Sequence, residues 1–514
     1  MPTFNLRQRE MAEAMVDLSH RNPFGEGRIR AEQRVLGESA IGGDKLWSWT
    51  GEASSRRPNI ALIRERSERL VGEMRAAMIA ANGAQSEEEL TLYIDTVLFT
   101  FFHKYDYAWQ ALADSEMAGR QVTLEPVPFY DDLCRDIQDY CTINGRAYMP
   151  MERMPHLMAL GFQLRRAFHF IFQTIVGSGR AASQLRMSVW ESIVTHNTRR
   201  YSKGLYAKMA EIPTLICGPS GTGKELVARA IGWSRYVPFD GRRKCYEGSF
   251  VGRFYPISLA ALSSSVIESE LFGHSRGSFT GAAGDRAGFF EVAGAHGTVF
   301  LDEIGEVSLD IQVKLLRVLQ TRMFQRMGDT APRRFEGKIV AATNADLVTM
   351  MRDGRFREDL FYRLCADLVE TPSLAEQISD DPEALTNLLG FISNRVVGAD
   401  LGRELAYDVN QWINKELPPN YRWPGNIREL EQCVRNVLVR NRYTPVRGQP
   451  AGGTGLPEAV KSREVQLNEL VQWYCTEVYA ESKGYEDAAA RLGIDPRTLK
   501  SKIDWERLEK LQGD

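Results

Sequence analysis

Apolar residues return every three or four positions through "RPNIALIRERSERLVGEMRAAMIAAN", and again through "MPHLMALGFQLRRAFHFIFQTIV". That period places them on one helix face, so the first ~175 residues read as mainly helical. Between these stretches lies "LTLYIDTVLFTFFHKYDYAWQALADSEM", crowded with aromatics. Aromatics at helical spacing read first as core, with a ligand-lining stripe as the alternative. His103 and His169 each stand alone and suggest no metal. From about Val176 to Thr444 the pattern changes. Short apolar runs, "PTLICG", "GTVFLDE" and "GKIVAATN", alternate with amphipathic segments such as "SLDIQVKLLRVLQTRMF". Strands alternating with helices predict a parallel sheet with crossover helices. "TPVRGQPAGGTGLPEA" then reads as a Gly/Pro linker, and the chain ends in a second helical segment.

Composition adds bounds rather than chemistry. A chain of 514 residues is too long for one core, which predicts two to four domains. With 43% hydrophobic residues, 25% charged residues and a net charge of −3, nothing advertises nucleic acid or a membrane, although a small binding module can hide in a neutral whole. The cysteines show no paired ligand spacing; Cys134 and Cys141 in "DDLCRDIQDYC" read as one half-buried helix face in a reducing compartment. The N-terminus lacks an apolar signal core. The most apolar run, "LYIDTVLFTFF", is too short to span a bilayer and carries Asp95. A cytoplasmic protein is expected.

The chemistry sits in the α/β region. "TLICGPSGTGKE" places Gly218, Pro219, Ser220, Gly221, Thr222, Gly223, Lys224 and Glu225 between a strand and a helix. Glycines let successive N–H groups curl around a phosphate, the helix start adds a favourable dipole, and Lys224 reaches the outer phosphates of ATP. Glu225 stands where Ser or Thr usually binds Mg2+. "GTVFLDEIGE" delivers Asp302 and Glu303 to a strand end, where open α/β sheets bind ligands. Asp302 suits Mg2+, directly or through water, and Glu303 suits polarisation of an attacking water. "IVAATN" ends a further strand at Asn344, placed to sense the γ-phosphate or hold that water. "GRFREDLFYRL" carries Arg357 and Arg363, and "YRWPGNIRELEQCVRNV" opens a helix bearing Arg428. Arginines so placed are ordinarily surface charges. In "GSFTGA", Gly277 and Gly281 frame Ser278, Phe279 and Thr280, with Ala282 following, which predicts a protruding tip with an apolar contact.

Taken together, "GPSGTGKE", "ESELFGHSRGSFTGA", "GTVFLDEIGEVSLDIQVKLLRVLQ", "IVAATN", "GRFREDLFYRL" and "WPGNIRELE" resemble the bacterial enhancer-binding proteins, the sigma-54-dependent activators of the AAA+ class. The resemblance covers about half the chain. It implies a ring, usually a hexamer, with ATP between subunits and a α/β P-loop core under a helical lid. Lys224, Asp302, Glu303 and Asn344 then serve the nucleotide's own subunit, Arg428 is a second sensor, and Arg357 and Arg363 are fingers reaching the neighbour's γ-phosphate. The family shares the Glu at position 225, and its GAFTGA loop, which grips sigma-54, is similar to Gly277–Ala282. Three departures stand out. Ser278 replaces an Ala. Ser258 occupies the place of an Asn that repositions the catalytic Glu. "PSLAEQISDDPEAL" lacks the family's usual Leu-Arg-Glu-Arg stretch, and the segment from Gly177 to Gly218 is longer than usual.

The C-terminal "YEDAAARLGIDPRTLKSKIDW" has Ala489 and Gly493 at a tight contact and turn, Asp495 as a helix cap and Pro496 at the first helical position. This helix-turn-helix pattern resembles the Fis-like domain that ends many such activators. Arg497, Thr498, Lys500, Ser501 and Lys502 are expected to face double-stranded enhancer DNA, with weak non-specific binding because acidic residues balance the basic ones. A dimerisation hairpin is the alternative, and "LNELVQWYCTEVYAES" reads as a dimer helix. The expected organisation is a regulatory region at 1–173, an AAA+ domain at 174–443 with its lid from about 375, a linker at 444–460 and a DNA-binding domain at 461–514. The N-terminal region shows no strand-end acidic cluster of the kind a phosphorylated receiver needs. Its expected partners are a ligand, a protein or the ring itself.

Overall fold

The computed structural model describes residues 2–40, 58–279, 282–419, 421–445, 466–480, 482, 484–505 and 508. It divides into two compact units, Met1–Tyr443 and Thr444–Asp514. Residues 446–465, which hold most of the expected linker, lie outside the described residues.

The periodic N-terminal stretches form the helices Pro58–Ala80 and Met154–Thr174. The aromatic stretch forms two, Glu87–Lys104 and Asp106–Met117, broken at Tyr105. Ser86 starts the first by accepting a hydrogen bond from the Glu89 amide, with Glu87, Glu88 and Glu89 complementing the helix dipole. "DDLCRDIQDYC" lies in the helix Tyr130–Cys141, with Cys141 buried and Cys134 half-buried.

Five parallel strands follow: β1 (Thr214–Cys217), β2 (Phe254–Ser258), β3 (Thr298–Asp302), β4 (Lys338–Thr343) and β5 (Leu368–Glu370). Their order is β5-β1-β4-β3-β2, with Ile216 beside Ala342, Ala341 beside Leu301, and Ser258 beside Asp302. The central strands are continuous apolar runs because both faces are covered. Period-two alternation divides them. Leu215, Val299, Leu301, Ile339 and Ala341 join one core with Ile311 and Leu315 of the helix Leu309–Thr321. Ile216, Phe300, Val340 and Ala342 join another, which contains Val227 and Ile231 of the helix Lys224–Trp233 and continues into the N-terminal helices.

Polar contacts lock that second core. Arg166, fully buried, donates to the carbonyls of Trp233 and Arg235, the latter at 2.7 Å. Gln163 donates to Ser234 O at 3.0 Å and accepts from the Tyr201 hydroxyl at 2.8 Å. A buried guanidinium thus caps the carbonyl end of the helix that starts at Lys224. A short hairpin, Phe239–Asp240 with Cys245–Tyr246, adds Phe239 against Tyr130 and Tyr246 against Phe162.

The segment "SLDIQVKLLRVLQTRMF" does not stay helical to its end. The helix stops at Thr321, Arg322 turns left-handed at φ 60°, and Met323–Phe324 pairs with Arg333–Arg334. Arg322 causes the stop: its guanidinium donates to Ala210 O at 2.7 Å and Gly337 O at 2.8 Å, contacts a continuing helix would lose. Helices Leu374–Asp380, Ala384–Val397, Ala399–Glu416 and Asn426–Arg440 form the lid around Leu388, Val409, Leu430 and Val434.

In the second unit, helices Leu467–Ala480, Tyr485–Leu492 and Pro496–Lys500 close over Cys475, Ala488, Ala489, Leu499 and Ile503. Among the described residues no helix is long and apolar enough to cross a membrane.

Candidate active site

Strand β1 ends at Cys217 and the chain turns through Gly218 to Gly223 into the helix at Lys224. The turn is built for glycine at two places. At Gly221 (φ 79°) a Cβ would strike the carbonyl of Gly425, and at Gly218 it would strike Thr371. Thr371 Oγ1 also lies 2.7 Å from Thr222 Oγ1. Lys224 is only 7% exposed and donates to Gly218 O at 2.9 Å and Pro219 O at 3.2 Å. Burial holds its ammonium below the usual lysine range, against the pull of Glu303 and Asp302. Glu225 pairs with Arg229 at 2.5 Å, one turn on, so it braces the helix.

Asp302 ends β3 and Glu303 follows in a left-handed conformation, φ 56°. For a non-glycine residue that costs about 1–2 kcal/mol, the kind of strain that functional sites carry. Burial, then the Glu303 charge, raises the Asp302 carboxyl above its ordinary range. Two adjacent carboxylates, one resisting ionisation, fit a divalent cation such as Mg2+ or its water shell, since a cation relieves both effects. Among the described residues no group of three or more acidic, His or Cys side chains could hold a metal by itself; the donor set therefore suits a cation carried largely by phosphate oxygens. Asn344 is exposed at the end of β4, and its main-chain N–H donates to Glu303 Oε2 at 3.2 Å. Ser258, exposed at the end of β2, pairs in register with Asp302 and makes no described hydrogen bond to Glu303.

The lid closes this site. Arg428 donates from Nη1 to Ser220 Oγ at 3.2 Å and from its amide to Gly221 O at 3.3 Å. Asn426, left-handed at φ 53°, donates to Ser220 O at 2.8 Å while its Oδ1 accepts from Leu374 N at 2.8 Å. Asn426 and Thr371 are site residues that motif reading overlooked; Asn426 lies inside the quoted "WPGNIRELE". Arg357 and Arg363 are exposed and hydrogen-bond none of these groups. Arg357 caps the helix Glu358–Leu364, grips Asp359 at 2.7 Å and anchors its amide on Gln312.

Gly277–Phe279 and Ala282 lie between the two strands of a hairpin, Gly273–His274 paired with Arg286–Ala287. Gly277 N donates to Ala282 O, and Ala282 N to Phe279 O, each at 3.0 Å. Phe279 is 43% exposed and leans edge-on against His274, with centroids 5.0 Å apart. His274 is itself buried and bonded to Ser269 at 2.8 Å. Ser278 turns its hydroxyl inward toward Gly328, where it has no described partner. Thr280 and Gly281 lie outside the described residues.

In the second unit, Gly493 is left-handed at φ 66° and Asp495 accepts from Arg497 N at 2.8 Å. Leu499 is buried, which turns Arg497, Thr498, Lys500 and Ser501 outward with Lys502 half-exposed.

Comparison with known proteins agrees with this geometry. Residues 194–369 match the sigma-54 interaction domain family. The regulatory protein LuxO of Vibrio parahaemolyticus is 34% identical over 322 residues, 60% of this chain and 67% of LuxO. The nitrogen fixation protein VnfA of Azotobacter vinelandii is 42% identical over 236 residues, 46% of this chain and 41% of VnfA. The DNA-binding transcriptional regulator NtrC of Azospirillum brasilense is 42% identical over 229 residues, 45% of this chain and 43% of NtrC. The chain therefore spans less than half the length of some relatives it matches. A P-loop over an acidic strand end, closed by a lid arginine on a β5-β1-β4-β3-β2 sheet, is an AAA+ ATPase domain, and the chain belongs to the sigma-54-dependent transcriptional activators.

Proposed function

We propose that the whole chain is a cytoplasmic enhancer-binding activator that hydrolyses ATP between neighbouring copies in a ring, and that hydrolysis moves the Gly277–Ala282 loop against sigma-54 RNA polymerase to open promoter DNA. The observation that carries this is that Lys224 and Arg428 both bond the phosphate loop, with Asp302 and Glu303 acting on the Lys224 charge and Asn344 holding Glu303, while Phe279 is half-exposed on a separate hairpin.

The amides after Gly218 cradle the phosphates and Lys224 leaves its carbonyl partners for the outer ones. Asp302 would hold Mg2+, which when bound neutralises charge between the outer phosphates. Glu303 orients the attacking water and accepts its proton, and the Asn344 amide keeps that carboxylate in place meanwhile. Arg428 ties lid position to phosphate occupancy. Arg357 and Arg363, exposed on their own subunit, meet the charge developing on the neighbour's γ-phosphate. Gly277, Ser278, Phe279, Thr280, Gly281 and Ala282 form the sigma-54 contact. Arg497, Thr498, Lys500, Ser501 and Lys502 bind the enhancer's major groove and phosphates, with ring avidity compensating a weak single site.

Complementation tests the shared site. Lys224→Ala and Arg363→Ala proteins are each expected to lose ATP turnover. Mixed, they should regain part of it, because an intact P-loop then meets an intact arginine. Mixed rings that form but stay inactive would contradict the assignment.

A further inference from the structure

Inside the N-terminal helices lies a cavity of about 1720 Å³, larger than the volumes usual for small-molecule sites. Phe99, Phe102, Leu160, Leu164, Phe168 and Trp190 give it an apolar wall. Its charged lining is mainly basic. Eight arginine and lysine side chains face three aspartates, Asp95, Asp106 and Asp114. Asp106 is taken by Arg165 at 3.0 Å and Asp95 by Arg199, and Arg21, Arg28, Arg64 and Arg395 pair with Asp17, Glu32, Glu68 and Glu431 outside the lining, so Arg153 and Lys203 are the lining cations with no ion pair among the described residues.

His103 reports on the interior. It sits between Phe99 and Phe102, with ring centroids 4.5 and 5.3 Å away. It keeps accessible surface although it lies deep in the protein, and its ring nitrogens have no hydrogen-bond partner among the described residues. The imidazole therefore opens onto the cavity, where its nitrogens are free to meet a ligand. The charges of Arg28, Arg165 and Arg64 all oppose its protonation, so the field at the ring is positive. Nearby, Arg165 donates to Gln110 at 2.8 Å, and Gln110 Nε2 lies 2.8 Å from His169 Nδ1, a polar chain along one wall.

The cavity also reaches the ATPase. Leu226, in the first turn after Lys224, lines it, and so do Phe391 and Arg395 of the lid helix Ala384–Val397. From this lining we propose that the cavity is an effector site for an amphipathic organic anion, an apolar body with a carboxylate or sulfonate group, and that its occupancy sets the rate of ATP turnover. The apolar body fills the space between Phe99, Leu164 and Phe168, and the acid group faces His103 and Arg165. The turnover half of this inference rests on the ATPase reading; the binding half does not.

The test uses the full chain and two dyes, the anionic anilinonaphthalene sulfonate and the uncharged N-phenylnaphthylamine. The anionic dye should bind saturably, one per chain, at least tenfold more tightly than the neutral one. Dodecanoate should displace it, whereas dodecanol and ATP should not. Leu164→Trp, which fills the cavity, should weaken binding at least tenfold, and so should Arg165→Met, which removes a cation without adding bulk. Both are read at an unchanged melting temperature, and either one suffices if the other fails to fold. Dodecanoate should also change ATP turnover at least twofold. Equal binding of the two dyes would overturn the anion class. Binding unaffected by either substitution would overturn the site. Binding with turnover unmoved would overturn the regulatory role, and a chain that binds the dye but never hydrolyses ATP would fault the ATPase reading instead.

Discussion

At Gly221 a missing side chain lets the lid carbonyl of Gly425 rest on the phosphate loop. Gly221→Ala adds a Cβ at φ 79° against that carbonyl. Strain of this kind costs about 1–3 kcal/mol, so the substitution should loosen the lid and raise the KM for ATP at least tenfold while leaving the sheet folded. Nucleotide titration and a thermal melt check both halves. Glu303→Gln keeps the shape and removes the base. It should bind ATP normally and lose about 10²–10⁴ in turnover, whereas Lys224→Ala should lose affinity as well. Lys224, Asp302 and Glu303 were legible from sequence because the P-loop and the acidic strand end are local patterns. Asn426 and Thr371 were not, because they reach the loop through the fold: Asn426 to Ser220 and Thr371 to Thr222 are contacts between distant segments.

Among the elements, the helices Glu87–Lys104 and Met154–Thr174 carry His103 and His169. Burial, reinforced by Arg28, Arg165 and Arg64, pushes His103 down to about 3. Burial pushes His169 down to about 4, with Arg165 adding to it and Asp114 opposing. Both ordinarily titrate near 6.5. Between about pH 6.5 and 4 the unfolded chain therefore binds more protons than the folded one, and stability falls as pH falls. At pH 5.5 each histidine contributes roughly 1.4 kcal/mol of lost stability. Melting temperatures of the full chain should drop from pH 7.5 to 5.5, and His103→Gln should flatten that slope. The elements themselves were legible where a pattern was long or uniform. Strands β1, β3 and β4 are unbroken apolar runs. Strand β2, "FYPIS", has no such signature, and its place follows only from pairing with β3. The overrun beyond Thr321 had a tertiary cause, since Arg322 bonds to residues far away in sequence. The aromatic stripe divides between the two readings open to it: Tyr93 is core, while Phe101, Phe102 and His103 line a cavity.

For the whole molecule, the consequential feature is the core shared by the N-terminal helices and one face of the sheet. Phe162, Phe170 and the buried Arg166 complete the packing around the helix that begins at Lys224. Removing residues 1 to 173 would expose that apolar face and uncap Trp233 and Arg235. The truncated chain is expected to aggregate or melt at a much lower temperature than the intact one, which light scattering and calorimetry would register. On the regulatory reading proposed above, the N-terminal region would act on the ATPase through this packed contact. The central claim concerns the far end of the same machine, where ATP turnover drives an aromatic tip against sigma-54. Open-complex formation on a sigma-54 promoter by Phe279→Ala protein, with its ATP turnover measured in the same sample, tests it most directly. The account predicts turnover at the unmodified rate and no opened DNA; opening at the unmodified rate would contradict it.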